Sequence, residues 1–151
     1  MQPRSRDPAR PQVALPRVVD DSTLARNTAL VVGMDASGFE TVDGLRYTRY
    51  VEDVTARGVR ELGGAVAKML FYIRPDRQSA VSRVGDEIRD LVKSCQEGGL
   101  LLIVEVLTYR LDDETEEDYK AAFPGLVVDA AGIAVECGAK VLKLPTLGRA
   151  A

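Results

Sequence analysis

Residues 98–110 read GGLLLIVEVLTYR. A glycine pair opens the stretch, Tyr109-Arg110 closes it, and Leu100–Tyr109 between them is apolar at nearly every position. A strand with one wet face alternates apolar and polar residues. A run that is apolar throughout fits a strand buried on both sides, as in a parallel sheet covered by helices. One residue breaks the run: Glu105 stands in its middle.

The same pattern recurs on both sides. Ala65–Ile73 (AVAKMLFYI) follows Gly63-Gly64 and ends at Arg74-Pro75-Asp76, and Ala139–Leu144 (AKVLKL) follows Gly138 and ends at Pro145. Thr28–Met34 (TALVVGM) is a fourth apolar run, leading into Asp35 and a loop around Gly38. Between these runs the period changes. Tyr50–Leu62 puts Val51, Val54, Val59 and Leu62 on one helical face. Ser79–Gln96 does the same with Val81, Val84, Ile88, Leu91, Val92 and Cys95. A third helix is predicted over Pro124–Cys137, with Pro124 in its first turn, after a polar, acidic segment Arg110–Lys120. Strands starting near residues 28, 65, 100 and 139 make four strand–helix units of an α/β fold. An open doubly wound sheet and a closed (β/α)8 barrel both fit; a barrel has eight such units.

The chain has 151 residues, 46% of them hydrophobic, enough for one core. Its net charge of −3 gives no general electrostatic reason to expect nucleic acid or an anionic membrane as a partner. No apolar run reaches the roughly 18–20 residues that span a bilayer. The basic N-terminus has no apolar segment after it, so a cytoplasmic protein is expected. Cys95 and Cys137 fall in helical patterns and are expected as buried thiols. Residues 1–26 hold four prolines and several arginines, and read as a flexible leader with a short ordered piece around Val13–Val19. Arg4, Arg6, Arg10 and Arg17 could face an anionic partner, but a solvated tail is the expectation. Residues 27–151 then form the α/β domain.

Histidine is absent from the sequence. That removes Ser-His-Asp and Cys-His nucleophiles, and it argues against a zinc site built on imidazoles. Carbonyl chemistry here would have to use lysine, carboxylate and tyrosine.

Those residue types are present in unusual places. Lys68, Glu105 and Lys143 each interrupt an apolar strand, where an ionised group costs several kcal/mol unless paired or functional. Period-2 alternation groups Val66, Lys68, Leu70 and Tyr72 on one face. It does the same for Ile103, Glu105 and Leu107, and for Val141, Lys143 and Pro145. If these are inner faces, two ammonium groups and a carboxylate converge near the carboxyl ends of neighbouring strands, where α/β folds place their sites. Imine formation needs such a trio. A lysine attacks a carbonyl as the neutral amine, which asks for a drop of about three pK units, on the order of 4 kcal/mol. A buried pocket and a second ammonium push that way, and a carboxylate can carry the protons. A buried ion pair between Glu105 and one lysine accounts for the same pattern equally well.

The motifs GGAVAKMLFYIRPD (63–76), LLIVEVLTYR (101–110) and GIAVECGAKVLKLP (132–145), with ALVVGMDASGFE (29–40), resemble the tagatose 1,6-bisphosphate aldolase family and its sulfofructose-phosphate aldolase relatives. The resemblance spans about residues 24–145. It implies strands three to six of a TIM barrel and class I chemistry without metal or other cofactor. By the same resemblance Lys143 is the Schiff-base lysine, Lys68 its assistant and Glu105 the proton shuttle. Asp35, Tyr72, Arg74, Tyr109 and Arg110 fall where substrate-facing segments begin, although each also suits an ordinary strand-end role. A small-molecule sugar phosphate is the implied partner, and no nucleic acid or membrane is. The family barrel has two further units before this match and two after it, and the later ones supply much of the phosphate site. The chain alone is therefore expected to be poorly stable, or to assemble with a second copy or a complementary fragment. Two readings follow: a Schiff-base lyase, and a catalytically silent α/β fragment serving as an assembly or binding module. A third, another phosphate-binding α/β domain, is weak because the glycine pairs form neither GxGxxG nor a P-loop.

Overall fold

The computed structural model describes Ala25 and residues 27–147. Apart from Ala25, the expected leader lies outside the described residues. The elements run in the order β1 (Val31–Gly33), β2 (Asp35–Val42), β3 (Leu45–Tyr50), α1 (Ala56–Glu61), β4 (Val66–Tyr72), α2 (Arg83–Glu97), β5 (Leu101–Leu107), α3 (Glu116–Glu136) and β6 (Val141–Lys143).

Four strands form one parallel sheet in the order β1-β4-β5-β6. The order never reverses. A doubly wound sheet reverses at its switch point and carries helices on both faces; a barrel winds one way with helices outside. Here one face of the sheet is packed under the helices. Ala67, Met69, Phe71 and Ile73 are completely buried and share a cluster with Val59 of α1, Val84, Ile88 and Cys95 of α2, and Ala130 and Ala134 of α3. The other face carries Val66, Lys68, Leu70 and Tyr72, all half-buried. The fold is a partial TIM barrel, and the face with the charged residues is its inner one.

Each helix hands over to the next strand by the same device. Gly63, Gly99 and Gly138 follow the helix caps with φ of 83°, 65° and 100°, a region that costs glycine little. The bonds Gly64 N–H to Val59 O, Leu100 N–H to Cys95 O and Ala139 N–H to Ala134 O close Schellman motifs, so the strand begins almost at once.

Three expectations need correction. The segment read as a loop followed by a helix from Tyr50 is an antiparallel hairpin, β2–β3, followed by a short helix. Asp43 (φ 51°) and Gly44 (φ 77°) form its two-residue turn, which needs positive φ at both positions. Asp53 at φ 64° then breaks any continuous helix, and the Thr55 hydroxyl caps α1 by accepting from Gly58 N–H. The second helix starts at Arg83, which leaves Val81 outside the buried stripe and 85% exposed. The third helix begins at Glu116, so Pro124 lies in its interior. Thr115 caps it by accepting from Asp118 N–H, and Glu116, Glu117 and Asp118 load the first turn with negative charge that suits the helix dipole. Both cysteines are buried free thiols, and burial pushes both pKa values up.

Candidate active site

Lys68, Glu105 and Lys143 converge on the inner face. The register sets Leu70, Glu105 and Lys143 side by side, with Lys68, Ile103 and Val141 one inward-facing layer below. Lys68 Nζ donates to Glu105 Oε2 from below, and Lys143 Nζ donates to Oε1 at 2.7 Å from the level of the carboxylate. One carboxylate thus joins two ammonium groups from the strands on either side of it. Burial acts to raise the Glu105 carboxyl, but the hydrogen bonds and charges of Lys143 and Lys68 outweigh it and hold the group below the usual carboxylate range. Exposure grades across the trio: the side chains of Glu105, Lys68 and Lys143 are 15%, 28% and 60% exposed. Lys143 is the member most open to an incoming molecule.

Asp35 and Tyr72 border this cluster. β1 ends before it can pair with the upper half of β4, and the Asp35 carboxylate takes over by accepting from Leu70 N–H at 3.2 Å. Thr48 of β3 completes the link by donating to Leu70 O at 2.5 Å. Tyr72 lies on the Lys68 face, two residues beyond Leu70, with ring contacts to Phe39 at 5.4 Å and Tyr109 at 6.5 Å. Burial raises its hydroxyl pKa, with the Asp35 charge adding to the effect.

Arg74, Tyr109 and Arg110 are not brought to the trio. Arg74 is buried, and its guanidinium donates to both oxygens of Glu114 at 2.6 and 2.8 Å, to Asp76 at 2.6 Å and to Tyr109 O at 2.9 Å. These bonds hold its pKa above the ordinary arginine value. The Tyr109 hydroxyl accepts from Arg46 N–H at 3.1 Å and donates to Gln78 Oε1 at 3.0 Å. Arg110 is exposed and donates to Glu114 O at 2.6 Å. This network ties the β4–α2 segment, the β5–α3 segment and the hairpin together above the carboxyl ends of the strands. The sequence reading missed the hairpin side of that rim, with Phe39, Arg46 and Thr48. Its signal was present in Asp43-Gly44 set between Val42 and Leu45.

The family model of the DeoC/LacD family of aldolases matches residues 14–149, nearly the whole chain. The chain belongs to this family. No individual curated protein gives a match to it. A DeoC/LacD assignment agrees with the one-way winding of the sheet, and it supports a class I aldolase-like function. Within this DeoC/LacD chain, no described helix is long and apolar enough to cross a membrane.

Proposed function

We propose that the protein is a Schiff-base aldolase of the tagatose 1,6-bisphosphate and sulfofructose-phosphate type. It would cleave a ketose phosphate or bisphosphate to dihydroxyacetone phosphate and an aldehyde. The observation that carries this reading is the Glu105 carboxylate held between Lys68 and Lys143 on the inner face of the sheet.

In this reading Lys143 is the nucleophile. Its neutral amine attacks the ketone carbon, and the carbinolamine loses water to give an iminium ion. The iminium draws the electron pair of the breaking carbon–carbon bond into an enamine. The hydroxyl that becomes the aldehyde gives its proton to Glu105, which is already ionised at neutral pH. Protonation of the enamine and hydrolysis of the imine release dihydroxyacetone phosphate and restore the amine. Lys68 holds the other oxygen of the Glu105 carboxylate from the layer below and keeps the carboxylate in place beside Lys143. Asp35 and Tyr72 line the approach from β1 and the hairpin.

The test is release of dihydroxyacetone phosphate from tagatose 1,6-bisphosphate. Lys143→Met should abolish it. Glu105→Gln should lower kcat by about 10²-fold or more, as expected when an acid–base group is lost. One observation favours the second reading, a silent assembly or binding module: Lys143 is already ion-paired to Glu105. Under that reading the wild-type chain and Lys143→Met show the same background rate, and Lys143→Met has a lowered unfolding midpoint.

A further inference from the structure

We infer that Arg46, on the hairpin, binds the anionic group at the far end of the ketose, the end away from the imine carbon. The inference rests on the Schiff-base reading above and names the substrate feature that the hairpin would select.

Arg46 is half-buried, and its main chain is already fixed: its N–H donates to the Tyr109 hydroxyl and its carbonyl accepts from Gln78 Nε2. The side chain takes no part in these bonds. Its guanidinium lies 4.2 Å from the Phe39 ring centre and 5.1 Å from that of Tyr109. Among the described residues it meets no carboxylate at ion-pair distance, whereas Arg57, Arg74, Arg77, Arg83 and Arg89 each do. Aromatic faces orient a guanidinium while leaving the N–H edge free, and that planar fork matches phosphate or sulfonate oxygens.

Its position fits a site above the trio. Arg46 lies on the same side of β3 as Thr48, whose hydroxyl reaches Leu70 O, and Phe39 packs edge-on against Tyr72. Burial and the charges of Asp35 and Glu105 raise the Tyr72 hydroxyl pKa, and the Arg46 charge opposes them. Tyr72 stands two residues above the Glu105–Lys143 level, on a strand two places from β6. At ~3.3 Å per residue and ~4.8 Å per strand, its backbone lies roughly 12 Å from that of Lys143. Both side chains start from the inner face, so the gap suits an open-chain sugar of about six carbons.

The experiment is borohydride trapping of the full chain with fructose 1,6-bisphosphate and with fructose 1-phosphate, reading the half-saturating concentration for labelling at Lys143. The wild type should favour the bisphosphate by about tenfold or more, the size of one charge-assisted pair. Arg46→Gln should bring the ratio near one while still labelling with the monophosphate. Arg46→Lys should retain part of the preference and controls for folding. An Arg46→Gln ratio equal to that of the wild type overturns the role of Arg46 and leaves the Schiff-base reading intact. Folded wild-type protein that labels with neither sugar overturns the Schiff-base reading, and this inference with it.

Discussion

Glu105 can be reached from its sequence context alone, because a carboxylate within LLIVEVL needs a reason to be there. Lys68 and Lys143 stand out for the same reason, so all three members of the trio are legible in the amino-acid sequence. The pairing of Glu105 has a consequence for acid stability. The two ammonium groups hold its folded pKa below the unfolded value of about 4.3. A depressed carboxyl contributes stability that is present above the unfolded pKa and is lost as pH falls through the folded one. Urea unfolding midpoints from pH 7 to pH 3 should therefore drop at the acid end, and Glu105→Gln should flatten that limb. An unchanged limb would mean that the pairing does not contribute to stability. Arg74 was less legible, because its main partner Glu114 lies 40 residues away. Arg74→Met removes the two-pronged partner of the Glu114 carboxylate and should lower the urea unfolding midpoint. Arg74→Lys should recover only part, since an ammonium cannot copy the two-pronged contact. An unchanged midpoint for Arg74→Met would remove the clamp from the account of the rim.

At the scale of elements, period and punctuation located the four sheet strands and the middle helix to within a few residues. Local chemistry decided the errors. Asp43-Gly44 makes a hairpin where the pattern predicts a loop, and Thr115 with three acids starts α3 a full two turns before Pro124. Proline inside a helix lacks the N–H that would bond back one turn and crowds the preceding carbonyl. The cap and the packing of Leu126, Val127, Ala130 and Ala134 offset that cost here. Pro124→Ala should accordingly stabilise the chain by about 1–3 kcal/mol, seen as a higher melting temperature. A lower melting temperature would show that the ring itself contributes packing at that position.

For the whole molecule, periodicity could not separate the two parallel architectures, because both use apolar strands and amphipathic helices. The spatial order of strands separates them, and that order is a long-range property no local pattern encodes. The inner face leaves Val31, Leu101 and Val141 50%, 50% and 36% exposed, with β1 and β6 at the sheet edges. Apolar surface of that kind in the described residues should bind a hydrophobic dye under native conditions, or be hidden by association visible in sedimentation. A monomer of 16.4 kDa that leaves the dye dark would contradict the open inner face. The claim that joins fold to chemistry is that Lys143 forms an imine. Its most direct test is borohydride reduction of the folded chain with dihydroxyacetone phosphate, followed by mass mapping of peptides. A reduced adduct on the peptide containing Lys143, absent in Lys143→Met, is the predicted result; an adduct on Lys68 alone, or none at all, would contradict it.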